Sequence, residues 1–202
     1  MTTTDDPHAF RAMMERVGGL GSRLQIDLMD GVFAPNRNLD PARIWWPAGV
    51  QADIHLMYKH PKHYLDLLLG LQPHMIIVHA EAADDVVDML FAIRATGVLA
   101  GVALLPPTDV NAAAPLLVHA DHILLFAGEL GGSGKADLNV LDKIPAIKKH
   151  NPTAEIGWDG GANEANVTKL ATAGVDVINV GNVLRQAENP ATVYAQLTSL
   201  IS

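Results

Sequence analysis

Cysteine is absent from the 202 residues of the chain. Disulfide bonds, thiolate nucleophiles and cysteine-ligated zinc are therefore excluded. Any bound metal ion must be held by histidine, carboxylate or amide oxygen ligands.

Positive charge is scarce as well, with 14 Lys and Arg against 22 Asp and Glu, and a formal net charge of −8. The basic residues form no cluster, which argues against a nucleic-acid partner, because phosphate backbones require a basic surface. A small anionic substrate remains possible, because backbone N–H groups can bind a single phosphate locally.

Long apolar runs are also lacking, and the first ten residues show neither the basic nor the apolar block of a secretory signal. We therefore expect a cytoplasmic protein without a membrane partner. Since 49% of the residues are hydrophobic and no Pro/Gly/Ser-rich linker interrupts them, residues 1–202 are predicted to form a single domain.

Short apolar segments do recur, and helical patterns lie between them. The predicted strands are 24–29, 52–57, 75–80, 99–105, 122–127, 154–159 and 176–181. The predicted helices are 7–18, 61–70, 84–96, 109–118, 138–150, 163–173 and 190–201, with a further short helix at 40–46. This alternation predicts an α/β fold with a parallel sheet covered by helices.

Polar residues at the ends of different strands favour a TIM-type (β/α) barrel over a doubly wound sheet, because all strand ends of a barrel converge on one face. These residues are Gln25, Asp27, His55, His79 and Asp159. Only seven strands are predicted, and the chain opens with a helix where a first strand would stand. The two exposed edges would need cover, by the N-terminal segment, a swapped element or a second copy, and we expect a homo-oligomer.

Alternation along a strand places Gln25, Asp27 and Met29 on one face, and His55 with Met57 on the corresponding face of the next predicted strand. Carboxylates and imidazole suit Zn, Mn, Fe or Co, so Asp27, His55 and Asp159 are candidate metal ligands. The alternative for each residue alone is structural, with His55 as a hydrogen-bonded core histidine and Asp27 as a turn cap. Their coincidence at strand ends favours a site.

Six motifs in order along the chain together resemble the ribulose-phosphate 3-epimerase family. They are IDLMDGVFAPN (26–36), DIHLM (53–57), IIVHAEA (76–82), GVALLPPT (101–108), DGGANEAN (159–166) and AGVDVINVGNVL (173–184). The resemblance implies a barrel of the ribulose-phosphate-binding kind. It also implies an isomerase of the pentose phosphate pathway that interconverts D-ribulose 5-phosphate and D-xylulose 5-phosphate at C3.

The family pattern carries a two-base mechanism assisted by a divalent metal. By the resemblance, Asp27 and Asp159 are the catalytic acid/bases and metal ligands, and His55 is a further ligand beside the substrate. Met29 and Met57 match the methionines that line the substrate site. The phosphate of the pentulose is expected on backbone amides of glycine-rich loops, although each glycine pair alone is typical of a turn. These positions are Gly131, Gly132, Gly160, Gly161, Gly181 and Asn182.

Three departures from the family pattern support an alternative, a catalytically impaired member that binds a sugar phosphate or a protein partner. Gln25 stands where the family has a metal-binding histidine, and a neutral amide is a poorer ligand, so the metal could be lost. The first strand is missing, and the loop 127–134 is shortened and brings Glu129 near the expected phosphate. A related phosphosugar synthase or decarboxylase is disfavoured, because the Asp-x-Lys-x-x-Asp motif is not visible.

Overall fold

The computed structural model of the protein describes residues 4–132 and 135–201. The strands are β1 (Arg23–Met29), β2 (Gln51–Met57), β3 (Met75–His79), β4 (Leu99–Leu104), β5 (His122–Phe126), β6 (Glu155–Asp159) and β7 (Val177–Asn179). The α-helices are α1 (Pro7–Val17), α2 (Leu65–Gly70), α3 (Val86–Ala95), α4 (Val110–Leu117), α5 (Ile144–His150), α6 (Val167–Thr172), α7 (Asn182–Gln186) and α8 (Pro190–Ser199). Short 3₁₀ turns lie at Pro41–Arg43, Pro61–Tyr64 and Leu138–Lys143.

All seven predicted strands are present, and each pairs in parallel with its neighbours in sequence, from β1 through to β7. The sheet curls into a nearly closed barrel surrounded by helices, which confirms the predicted fold class. Within the described residues no ladder joins β7 to β1, so the predicted lack of a first strand is confirmed too. We call the space between β1 and β7 the barrel gap.

The outer face of the sheet forms the main core under the helices. On β1, Ile26 and Leu28 are fully buried in this core, while the alternate residues point into the barrel. Several helices begin at an aspartate whose side chain accepts a hydrogen bond from the first turn, as Asp6, Asp85 and Asp109 do. Such caps fix where each helix starts, and hence where the preceding loop leaves the barrel.

Charged side chains fill the amino-terminal end of the barrel interior. Arg23 donates to Asp53 at 2.5 Å and, through both terminal nitrogens, to Glu155 at 2.9 and 2.8 Å. His74 and His122 pair with Asp53 and Glu155 at 2.7 Å each. Because Arg23 starts β1 and Glu155 starts β6, this network crosses the barrel beside the barrel gap.

Higher in the barrel, Asn179 of β7 donates from Nδ2 to Gln25 Oε1 of β1 at 2.8 Å. Side chains, rather than a backbone ladder, therefore link the two edges among the described residues. A small cavity of about 120 Å³ remains beside the barrel gap. The expected cover by a second copy stays a prediction, as does cover by the N-terminal segment, whose first three residues lie outside the described ones.

No helix among the described residues combines the length and apolar character needed to cross a membrane.

Candidate active site

Three of the predicted residues meet at the carboxyl-terminal end of the barrel. Asp27 and His55 are register partners on β1 and β2, and Asp159 ends β6. His55 Nδ1 lies 3.1 Å from Asp27 Oδ1 and 3.5 Å from Asp159 Oδ2. One ligand atom from each residue lies within 4.8 Å of the other two. We call this group the Asp–His–Asp cluster.

The Asp–His–Asp cluster has the donor chemistry of a divalent metal site. Two carboxylates and an imidazole are the ligand types that Zn, Mn, Fe and Co accept. The carboxylates retain 18% and 20% side-chain exposure at the cavity floor, while His55 is fully buried behind them. The three residues would therefore fit a divalent metal, and both carboxylates remain accessible from the cavity.

Gln25 enters the same cluster with its amide nitrogen rather than its oxygen. Nε2 donates to Asp27 Oδ1 at 2.7 Å and to Asp159 Oδ2 at 2.8 Å. Ionised carboxylates only accept hydrogen bonds, so the amide must present its NH₂ group to them. In this arrangement Gln25, the doubtful fourth metal ligand, offers the cluster no lone pair.

A chain of buried polar groups supports His55 from behind. His55 Nε2 lies 2.9 Å from His79 Nε2, and His79 Nδ1 lies 3.3 Å from Glu81 Oε2. Burial would lower the pKa of His55, but its hydrogen bonds to Asp159 and Asp27 raise it to about 9. Burial lowers the pKa of His79 to about 4, although Glu81 opposes this shift.

The pKa shifts of His55 and His79 indicate where the protons lie in this series of buried polar groups. A cationic His55 donates from both ring nitrogens, whereas a neutral His79 accepts at Nε2 and donates from Nδ1 to Glu81. The contact of His55 with His79 and that of His79 with Glu81 then each join one donor to one acceptor. The hydrogen bonds through His79 to Glu81 therefore fix the ring orientation of His55.

A cavity of about 690 Å³ opens above the Asp–His–Asp cluster. Its apolar wall comes from Met29, Met57 and Phe126, which form a small hydrophobic cluster with Ala34 inside the barrel mouth. Asp27 and Asp159 lie in the cavity wall, so both predicted acid/bases are accessible to a small molecule.

Glycine-rich loops form the far end of the cavity, which includes all the predicted phosphate positions. They are Gly131, Gly132, Gly160, Gly161, Gly181 and Asn182. Gly160 and Gly161 have φ of 120° and 63°, and an added Cβ on either would overlap the backbone of the loop after β5. Only glycine fits there, and the backbone approaches the cavity closely as a result. No described residue accepts a hydrogen bond from the amides of Gly160, Gly161 or Gly181.

Charged side chains line this end too. Lys135 and Arg185 contribute positive charge, and Glu129 contributes negative charge, as the sequence suggested. Arg185 donates to the side chain of Asn182. Ser133 and Gly134 of the same loop lie outside the described residues.

Sequence reasoning missed several polar residues around the site. Arg185 belongs to α7, a helix that the sequence pattern does not predict, and the pattern gives Asn179 no role beyond its place in a strand. Asn163 and Asn166 fall in a predicted helix that begins only at Val167. The high density of asparagine between residues 163 and 182 could have indicated loops and helix caps at this position, since asparagine favours turns and caps.

The chain is similar to a family of known proteins. The profile of the Ribulose-phosphate 3 epimerase family matches residues 4–184. Ribulose-phosphate 3-epimerase of Helicobacter pylori strain J99 is 30% identical over 174 residues, covering 82% of this chain and 80% of that protein. The enzyme of the same name from Mycobacterium tuberculosis H37Rv is 30% identical over 182 residues, covering 86% and 80%.

Solved structures with a similar fold include phosphosugar enzymes. KGPDC from Streptococcus mutans, in a ligand-bound form, has a TM-score of 0.75 at 10% identity, covering 99% of this chain and 94% of that one. A 3-hexulose-6-phosphate synthase has a TM-score of 0.67 at 15% identity, covering 97% and 95%. At such identities the likeness concerns the barrel fold alone.

The family profile spans nearly the whole chain and includes the strands that carry Asp27, His55 and Asp159. The alignments with relatives at 30% identity cover more than four-fifths of this chain. The chain belongs to the ribulose-phosphate 3-epimerase family.

Proposed function

We propose that the protein epimerises D-ribulose 5-phosphate to D-xylulose 5-phosphate at C3. The observation that carries this proposal is the pair of carboxylates, Asp27 and Asp159, at the floor of one cavity with oxygens within 4.8 Å. Epimerisation requires that one base remove a proton from one face of a carbon and that an acid return a proton to the other. Two carboxylates from strands β1 and β6 supply these groups.

The reaction starts when one carboxylate, ionised, takes the C3 proton beside the carbonyl. The electron pair moves into an enediolate, and the other carboxyl group, protonated, delivers its proton to the opposite face of C3. The reverse reaction exchanges the two roles. Asp27, His55 and Asp159 would hold a divalent metal, whose positive charge would favour the negative charge that develops in this reaction.

Residues of this chain also orient the substrate. Met29, Met57 and Phe126 give an apolar surface that limits water near the reacting carbon. In this proposal the phosphate binds at the far end of the cavity, to the amides of Gly160 and Gly161 and beside the positive charge of Arg185 and Lys135. The pentulose then spans the cavity from the carboxylates to the glycine loops.

Proton exchange in deuterated water tests the proposal. Purified protein, with its metal content measured and with Zn, Mn, Fe or Co added, is incubated with ribulose 5-phosphate, and the C3 proton is followed by NMR. We expect deuterium incorporation together with formation of xylulose 5-phosphate. A folded protein that produces no exchange with any of these metals would contradict the proposal.

Single-base variants sharpen the test. Asp27→Asn and Asp159→Asn should each reduce epimerisation by about 10²- to 10⁴-fold, the usual contribution of a general acid or base. If both bases act as proposed, each variant retains slow exchange of a different epimer, because the remaining carboxylate still removes one proton. Equal loss of exchange from both epimers in both variants would contradict the two-base assignment.

A second candidate is a family member that binds a phosphorylated pentulose without turnover. The NH₂ group of Gln25 between the carboxylates favours it, because that group occupies space beside both proposed bases. Calorimetric binding of ribulose 5-phosphate without exchange at C3 would identify this case.

A further inference from the structure

The carboxamide of Gln25 lies in the middle of the Asp–His–Asp cluster. Nε2 is 2.7 Å from Asp27 Oδ1, 2.8 Å from Asp159 Oδ2 and 3.4 Å from His55 Nδ1. One nitrogen atom therefore contacts the side chain of every residue that would hold a cation. Gln25 is only 5% exposed, so its side chain is enclosed by the barrel.

The orientation of this amide is set from its other side. Asn179 Nδ2 donates to Gln25 Oε1 at 2.8 Å across the barrel gap. Turning the carboxamide over would present Oε1 to the cluster, but it would replace this hydrogen bond with a contact between two NH₂ groups. Asn179 thus holds the amide in the orientation that donates to the carboxylates.

We infer that Gln25 is a built-in competitor of the metal, a donor that links Asp27 to Asp159 when no cation is bound. Metal binding requires Gln25 to withdraw or to turn over, and either movement breaks its hydrogen bonds to both carboxylates. Hydrogen bonds to charged groups are among the stronger ones in proteins, so we expect the competition to weaken metal affinity about 10- to 100-fold.

The inference rests on the proposed ligand set but not on the substrate. The same donor stabilises the metal-free site, because its hydrogen bonds to both carboxylates offset the repulsion between them. The protein therefore has an ordered metal-free state as well as a metal-bound state, and Gln25 with Asn179 sets the balance between them.

Titration with Mn²⁺ in the absence of substrate tests this inference, with calorimetry and electron paramagnetic resonance of free Mn²⁺ as readouts. Gln25→Met keeps the length of the side chain and removes both the donor and the oxygen, and a thioether is a poor ligand for Mn²⁺. We expect this variant to bind Mn²⁺ at least about tenfold more tightly than the unmodified protein. Unchanged or weaker binding would overturn the inference, since it would mean that Gln25 is neutral or a ligand through Oε1.

Asn179→Ala provides a second variant in case Gln25→Met does not fold. Without its anchor the amide can turn over at lower cost, so Mn²⁺ binding should again become tighter, though by less. Gln51→Met is the matched control, because Gln51 is exposed at the start of the neighbouring strand β2. Its affinity for Mn²⁺ should equal that of the unmodified protein, and binding in Asn179→Ala that is no tighter than in this control would also overturn the inference.

Failure of this inference and failure of the proposed function are separable. Tighter Mn²⁺ binding in Gln25→Met with no C3 exchange in any form of the protein would leave the competition intact and remove the epimerase assignment. Exchange by the unmodified protein with no gain of affinity in either variant would do the reverse.

Discussion

Asn38 lies in the loop after β1, and its buried side chain bonds back to the strand that carries Asp27. Its Nδ2 donates to the Asp27 carbonyl at 2.6 Å, and its Oδ1 accepts from the Met29 amide at 2.8 Å. Because Ser22 O accepts from Gln51 N on β2, the backbone groups of the odd-numbered residues of β1 face the barrel gap. One side chain therefore satisfies groups that a missing neighbouring strand would have paired.

Replacing Asn38 by alanine should destabilise the protein by about 1–3 kcal/mol, because a buried amide and a partly buried carbonyl lose a hydrogen bond. The free energy of unfolding in urea measures this loss. Asn139→Ala is the control, since Asn139 is exposed and its side chain donates to the nearby Asp137. A loss no larger than that of the control would show that Asn38 does not brace the strand.

Gly157 on β6 lies so close to His122 that the position has no room for a side chain. An added Cβ would overlap the ring of His122, whose Nε2 is buried with no hydrogen-bond partner among the described residues. We expect Gly157→Ala to cost about 1–3 kcal/mol through overpacking, as measured by urea unfolding. Gly70→Ala at the end of α2 has open space and should be nearly neutral. Equal stability of the two variants would contradict this packing argument.

At the scale of elements, the amino-terminal ends of β1 and β6 are joined by the ion pair between Arg23 and Glu155. Hydrogen bonding to His122, together with Arg23, lowers the pKa of Glu155 to about 2, although burial opposes the shift. The folded pKa is thus below the ordinary value of 4.5. The stabilisation from Glu155 is therefore fully present above about pH 4.5 and is lost as the pH falls towards 2.

The matching prediction compares Glu155→Gln with the unmodified protein. Because Glu155 is partly exposed, its contribution near pH 6 is limited to about 1–2 kcal/mol. This difference in unfolding free energy should shrink as the pH falls from 4.5 towards 2. Glu188→Gln, at an exposed position, serves as the control. A difference that stays constant over this pH range would contradict the assigned pKa direction.

The strands could be predicted from the sequence because apolar runs and turn residues mark them locally. The same alternation correctly placed Gln25, Asp27 and Met29 on one inner face. Helix α7 was missed because it has only five residues and follows Gly181, an N-cap residue that has no side chain to mark the helix start. The direction of the Gln25 amide could not be predicted, since it depends on Asn179, 154 residues away in sequence.

At the scale of the whole molecule, the strands of the barrel are held in the sheet with unequal strength. Among the described residues, strand β7 has three half-buried residues and pairs with β6 alone, whereas β4 is longer, mostly buried and paired on both sides. Local opening is easier where few buried contacts hold an element. The β7 edge is therefore the weaker part of the sheet.

Amide hydrogen exchange should reflect this difference. We expect the amides of β7 to exchange faster than those of β4 under native conditions, with β1 in between because Asn38 covers part of its edge. Mass spectrometry of peptic fragments provides the measurement. Protection of β7 equal to that of β4 would indicate that a second chain or another element pairs with the edge.

The sequential strand order has a consequence for how the protein is made. Each strand pairs with the one synthesised just before it, so β1 to β5 can assemble while β6 and β7 are still being translated. Asp27 lies on the first strand, but Asp159, 132 residues later, ends the sixth. A nascent chain therefore acquires most of its architecture before Asp159 can join Asp27, and the proposed site can form only after the sixth strand has been made.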